Sequence, residues 1–472
     1  MKLREMQDTW LSQKADEIQS FADRHDMRNF YNALQAVYGP VICGSAPLLS
    51  ADGSTLLTDK EKILNCWAEH FADVLNRPSS INEEAINHLP QVEISESLAD
   101  PPTVLETQKA TELLSNSKVP GADSTPDEIY KSGGPKLIKR LTEMFCEMWK
   151  QKCIPQDFKD ASIIHLYKRK GNHYSCDNYR GITLICVAGK VLARILLSRL
   201  TQHLDQGLLP ECQCGFRKGR GTNDMIFAAR QLQEKCQEQN VQLYTVFVDL
   251  TKAFDSVSRE GLWKIMAKFG CPDTFIEMVK QFHDGMLARV QDHGNYSEPF
   301  TVTNGVKQGC ILAPSLFSLM FSAVLIDAFR ESNVGIDLRY RFDGRLFNLR
   351  RLQTRTKVQF ETIRDFLFAD DCALNSGTQA GMQHCMNLFS AACMSFGLTI
   401  STKKTKVLHQ PTPGCDYTEP SITVNGQKLD NVDRFTYLGS TLSKAANIDK
   451  EVNTRIARAS AAFGRLQPNV WN

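Results

Sequence analysis

At 472 residues, with 42% hydrophobic and 23% charged side chains, the chain has room for several subdomains around a large buried core. No apolar run reaches the length of a membrane-spanning helix, and the early acids Asp8, Asp16 and Glu17 exclude a secretory leader. An intracellular protein without a membrane partner is expected, with nucleus and cytoplasm left open. Fifteen cysteines without paired Cys-x-x-Cys spacings read as reduced thiols. Cys212-x-Cys214 and His173-x-x-Cys176 read as core and loop residues rather than zinc ligands. The formal charge of +2 hides an uneven distribution: residues 1–105 carry 16 acids against 8 bases, whereas Phe158 to Arg220 carry 11 bases against 4 acids. That clustering predicts a face that meets a polyanion, set against the plainer reading of a solvated surface.

The N-terminal segment reads as helices, with Ile63, Trp67, Phe71 and Val74 at helical spacing. Arg77 through Pro102 reads as a linker. A helix around Ser132 to Lys152 leads into the strand Ala161–Tyr167, a turn at Gly171-Asn172 and a long amphipathic helix from Val187 to about Leu204. Next come the strand Tyr244 to Asp249, a helix after Ser258 and a hairpin at Gly294-Asn295. Pro314 fits the first turn of a buried helix through Ser315–Phe321. Beyond the acidic hairpin described next lie a helix from Met382 to Phe396 and short strands near Leu398, Ile422–Val424 and Tyr437. Helices and strands mix without strict alternation, so the expected fold class is α+β. Arg339 to Lys357, with seven bases and one acid, is either an insertion touching template or a solvated loop.

The most informative pair is Asp370-Asp371, set between the apolar runs Phe366-Leu367-Phe368-Ala369 and Cys372-Ala373-Leu374. Two short strands meeting at a turn place both acids at its tip, where their charges repel unless a cation neutralises them. Alone, such a pair is commonly a solvated turn. The apolar flanks and a third acid, Asp249, at the end of another strand-like run shift the balance toward a two-metal phosphoryl-transfer centre. Asp249 and Asp370 are then the bridging ligands and Asp371 the accessory one. Asp255 reads as a structural or helix-capping acid.

These residues also carry a family resemblance. Phe247-Val248-Asp249-Leu250-Thr251-Lys252-Ala253-Phe254-Asp255, Asn304-Gly305-Val306-Lys307-Gln308-Gly309 with Pro314-Ser315-Leu316-Phe317, and Phe368-Ala369-Asp370-Asp371 resemble the palm motifs of reverse transcriptases of non-LTR (LINE-type) retrotransposons. Asp177-Asn178-Tyr179-Arg180-Gly181 and Gly215-Phe216-Arg217 resemble that family's fingers motifs. Gly397-Leu398 with Lys403-Lys404-Thr405-Lys406, and Phe435-Thr436-Tyr437-Leu438-Gly439, resemble its last palm motif and primer grip. Order and number make an accidental match very improbable.

The resemblance implies a right-hand polymerase: a helical N-terminal extension and linker (1–105), fingers (106–240), an antiparallel-sheet palm (241–412), and a primer grip with the start of a thumb (413–472). The reverse transcriptase domain would span about 138–442. It implies RNA-directed DNA polymerase activity on an RNA template and a DNA primer, with dNTPs and two Mg2+ ions, Mn2+ being an alternative. Asp249, Asp370, Asp371 and the Leu250 carbonyl would hold the metal. Lys168 and Arg180 would lie over the triphosphate, Phe254 would exclude the ribose 2′-hydroxyl, and Gln308 and Gly309 would face the nascent base pair. Lys404 would protonate pyrophosphate, with Lys403 and Lys406 as competitors. Without the resemblance, Phe254 reads as core, the lysines as exposed cations and Gln308-Gly309 as a turn. Lys118-Val119-Pro120-Gly121-Ala122-Asp123 keeps a further family pattern, but Ser124-Thr125 replaces its glycine-aliphatic pair. No segment reads as the family's endonuclease, and most of a thumb is not expected. The alternatives are a catalytically impaired nucleic-acid-binding remnant of such an element and an unrelated two-metal nuclease, which would not explain Phe254.

Overall fold

A computed structural model of the protein describes residues 2–24, 26, 29–30, 33, 47–50, 53–116, 118–306, 310–340, 359–415 and 417–470. Gln308, Gly309 and most of the basic segment Arg339–Lys357 lie outside the described residues. The chain divides into two compact units. In the smaller, Met1–Ala46 with 440–442 and 447–472, helices Lys2–Asp23 and Asp449–Val470 pack together. There Glu451 accepts from the Thr441 amide at 2.8 Å and Arg455 Nε at 2.5 Å, which hold its carboxyl down at about 2.

The larger unit, Pro47–Gly439 with 443–446, combines helices with mainly antiparallel sheets. Its first sheet is centred on β1 (Ala161–Tyr167), antiparallel to β2 (Tyr179–Leu184). On its other side β1 runs parallel to β4 (Leu287–Asp292), which pairs in turn with β5 (Asn295–Tyr296) and β6 (Phe300–Thr301). Helix α1 (Lys60–Leu75) covers this sheet. Asp59 caps it by accepting from the Glu61 and Lys62 amides, and Ile63, Trp67, Phe71 and Val74 form its buried stripe, as the spacing predicts. The Trp67 ring stacks on His165 at 4.3 Å, in a cluster with Ile163, Ala288 and Val290. A buried aromatic of this kind contributes roughly 3–5 kcal/mol.

The second sheet has the order β7 (Asp365–Phe368), β8 (Asp371–Ser376), β3 (Leu243–Val248), β9 (Lys406–Gln410), β10 (Asp430–Asn431). Every β3 residue is buried, because alternate side chains face two apolar layers. Val246 and Val248 join the main core, while Phe247 stacks on Phe435 at 4.1 Å. That core is built around the helix Ala313–Phe329, started by Pro314 and buried on all sides, together with the helix Gln379–Ser395. A helix apolar all round is a core helix, as expected from its sequence.

Three details differ from expectation. The Arg77–Pro102 stretch packs as structure: it contains a helix Glu83–Asn87 and a 3-10 turn Glu96–Ala99, and it buries Leu89 and Leu98. No strand forms at Leu398, where Gly397 takes φ +73° and the Leu398 amide closes back onto Cys393, ending the preceding helix. Part of the Phe158–Arg220 base cluster is also drawn into internal pairs, while Lys168, Arg169, Lys170, Arg180, Lys218 and Arg220 stay exposed. Arg199 grips Glu106 at 2.6 and 2.8 Å and donates to the Asp100 and Pro101 carbonyls. Lys190 pairs with Asp127, and Arg217 with Asp205 and Glu211.

Candidate active site

The sheet register brings the acids together. β8 runs antiparallel to β3 with Cys372 opposite Val248, so Asp371, the first residue of β8, and Asp249, the residue after β3, lie at the same end of two neighbouring strands. Asp370 stands one residue further, at the turn between β7 and β8. A polar cavity of about 220 Å3 is lined by Asp249, Asp370, Lys168, Arg180, Phe254 and Lys404, six residues singled out from sequence, while Asp371 is not among its lining residues. Leu250 lines the same cavity and forms an isolated bridge to Ile400. Phe254 packs at 4.5 Å on Phe317, and its carbonyl accepts from the Val306 amide at 2.9 Å. The ring is therefore both core-packed and cavity-facing.

Burial raises the Asp370 carboxyl, and the charge of Asp249 adds to it. Burial, then Asp370 and Asp249, push Asp371 up to about 6. Carboxylates that repel one another and supply only hard oxygen donors fit a divalent cation of the magnesium type. Among the described residues no three His, Cys, Asp or Glu side chains already stand in ligating positions. Instead Lys404 Nζ holds Asp249 Oδ1 at 3.2 Å, an exposed pair that offsets part of the local charge. The Asp249 backbone is fixed on both sides: its amide donates to Thr405 Oγ1 at 3.2 Å and its carbonyl accepts from Ser401 at 2.8 Å. Lys168 Nζ donates to the Asp177 carbonyl at 2.7 Å, and burial followed by Arg180, Lys404 and Lys252 lowers its pKa. A cavity where cations depress one another favours an anionic occupant.

Sequence reasoning missed one wall. His70, Phe71, Val74 and Leu75 of α1 line the cavity, although the segment reads as an acidic extension. Phe71 seats on Gly181, where a Cβ would come within 2.7 Å of its ring. The only signal was the apolar stripe itself, which shows that a helix packs but not on what. Of the two readings of Asp255, structural acid or helix cap, the cap does not form. Ser258, not Asp255, caps the following helix by accepting from Gly261. Asp255 instead lines the cavity, and burial lifts it from 3.8 to about 6, opposed by Lys252 and Lys168.

That shift sets a pH dependence. A carboxyl whose folded value is raised stabilises the fold while protonated, fully below about pH 4, and loses that contribution as pH rises through about 6. Asp255→Asn is expected to exceed the parent by on the order of 2–3 kcal/mol above pH 6. The two should converge near pH 4; urea denaturation at several pH values checks this, and a pH-independent difference would contradict it.

Fixed cations facing strand-end carboxylates across a small cavity suit a polyphosphate substrate and a divalent ion, the class of site that nucleotidyltransferases use. Residues 167–442 match the reverse transcriptase (RNA-dependent DNA polymerase) family, more than half of the chain, and the protein belongs to that family. It is 24% identical over 432 residues to the probable RNA-directed DNA polymerase from transposon BS of Drosophila melanogaster, covering 89% of this chain and 44% of that protein. It is also 24% identical over 374 residues to the RNA-directed DNA polymerase from mobile element jockey of the same species, covering 76% and 38%. A 149 kDa protein of transposon TX1 from Xenopus laevis is 28% identical over 287 residues, covering 59% and 21%. The resemblance to non-LTR retrotransposon polymerases thus holds, and the chain spans less than half the length of these relatives.

Proposed function

We propose that the chain is an RNA-directed DNA polymerase that joins a dNTP to a primer 3′ end on an RNA template. The observation that carries this reading is the single cavity lined by Asp249, Asp370, Lys168, Arg180, Phe254 and Lys404, which come from distant parts of the chain. In a right-hand arrangement, the sheet holding the three acids would be the palm and the sheet holding Lys168 and Arg180 the fingers. Asp249, Asp370, Asp371 and the Leu250 carbonyl would hold two Mg2+ ions, or Mn2+. Such ions supply activation of the primer hydroxyl and neutralise charge on the leaving group.

The chain's own groups do the rest. Lys168 and Arg180 orient the triphosphate and offset its charge. Phe254, braced by Phe317, meets the sugar edge. Lys404, whose Nζ pairs with Asp249 at 3.2 Å, would give a proton to departing pyrophosphate. Gln308 and Gly309 keep their proposed role against the base pair.

The test is extension of oligo(dT) on poly(rA) by the purified chain with dTTP and Mg2+ or Mn2+. Duplex binding that weakens steeply with salt, without incorporation under either ion, would favour the non-catalytic remnant instead. Phe254→Val is expected to raise ribonucleotide relative to deoxyribonucleotide incorporation at least ~10-fold, a differential of about 1.4 kcal/mol. The ratio of kcat/KM for UTP and dTTP reads it; an unchanged ratio would remove Phe254 from sugar selection.

A further inference from the structure

The turn that presents Asp370 and Asp371 is gripped from outside its hairpin. Segment Cys212–Gly215 runs along the free edge of β7: the Leu367 amide donates to the Cys212 carbonyl at 3.0 Å, and the Cys214 amide to the Leu367 carbonyl at 2.9 Å. Between them Gln213 is fully buried. Its Oε1 accepts from the Gly215 amide at 2.9 Å and from the Ala369 amide at 3.2 Å. Ala369 directly precedes Asp370 and takes φ +58°, a left-handed backbone costly for a residue with a Cβ.

Two further observations mark the grip as built. Gly215 packs so tightly that a Cβ there would fall 2.2 Å from the Ala369 nitrogen. Arg217 Nη1 donates to the carbonyls of Pro210, at 3.2 Å, and Gln213, at 3.4 Å, bracing the segment from behind. With both neighbours donors, the amide must point its oxygen at the turn. Its Nε2 is buried with no partner among the described residues. A position that leaves a buried N–H unpaired keeps glutamine for its carbonyl.

We propose that Gln213 is a positioning residue for the carboxylate pair: its carbonyl fixes the Ala369 peptide in the left-handed conformation and thereby sets how Asp370 and Asp371 leave the turn. This rests on the proposed reading of those acids as metal ligands. Gln213→Met keeps the volume and removes the acceptor, whereas Gln213→Glu keeps an acceptor in place. An outer group that orients a ligand is worth roughly 10–100-fold in metal affinity or activity.

Mn2+ binding by the full chain, read by the paramagnetic resonance signal of free ion, gives an answer independent of turnover. Gln213→Met is expected to weaken Mn2+ binding and lower kcat within that range, with the dNTP KM little changed. Gln213→Glu is expected to retain Mn2+ binding near the parent. Parent-like Mn2+ affinity in a folded Gln213→Met chain, whatever its melting temperature, would overturn the proposal and leave Gln213 a packing residue. Equal weakening in both variants would also overturn it. Failure of the parent itself to bind Mn2+ would overturn the underlying reading of the acids, and is distinguishable because the variants would then differ from nothing.

Discussion

Asp370→Asn is expected to cut primer extension by ~10³-fold or more, about 4 kcal/mol of transition-state stabilisation, while the protein melts no lower than the parent. The two outcomes belong together because Asp370 is a group the fold holds against its own interest. Burial and the nearby Asp249 charge raise its pKa, so the metal-free chain gains nothing from ionising it. Asparagine keeps the shape of the turn and removes the repulsion, but it no longer supplies an anionic oxygen. Single-turnover extension beside a thermal melt reads both quantities. Extension that survives the substitution would dismiss Asp370 from the chemistry, and activity lost together with the fold would show only that the turn had collapsed.

Arg259→Ala is expected to destabilise the larger unit by about 3–5 kcal/mol, the scale for stripping a buried charged hydrogen-bond network of its donor. The Arg259 guanidinium is 7% exposed and donates to the carbonyls of His283 and Val302 at 2.8 Å, Gly305 at 3.0 Å and Asn304 at 3.2 Å. Burial lowers its pKa to about 10, with Asp284 the opposing charge. Removing it orphans four acceptors at once. Lysine, a point donor on a flexible stem, cannot span them, so Arg259→Lys should recover only part of the loss. Urea denaturation decides: a loss under about 1 kcal/mol for the alanine variant would mean that water replaces the guanidinium without penalty. The same residue holds the 302–305 loop that leads into Gln308 and Gly309, so its loss should also raise the dNTP KM.

What the sequence made legible follows from what each residue's neighbours reveal. Asp370-Asp371 stood out because apolar runs on both sides leave two acids no plausible place but a strand junction, and β7 and β8 form there. The helix around Pro314 was legible because it is apolar on every face. Lys168 and Arg180 were readable only through the resemblance, since an isolated cation carries no mark of what it faces. The surplus of bases between Phe158 and Arg220 overstates the charge left free on the surface, for a physical reason. Arg199, Lys190 and Arg217 are partnered by acids up to 93 positions away, and such pairings leave no local trace. Gln213 was silent for a related reason: a neutral amide between two cysteines gives no periodic or charge signal, and its value lies in two amides that only the fold supplies.

The aromatic helix Lys60–Leu75 has a practical consequence for anyone seeking a minimal active piece. The family match begins at Tyr167, the last residue of the strand at the centre of the first sheet. A fragment trimmed to that boundary would lack Ala161–Leu166 and the whole helix. Ala288 and Val290 would then lose both the cluster they share with Trp67 and Ile163 and their strand partners in Ala161–Ile164, and such a piece should aggregate rather than fold. The family-defining stretch 167–442 is therefore shorter than a piece that keeps the first sheet and its covering helix, whereas the match to the transposon BS polymerase, at 89% of the chain, is long enough to take in both.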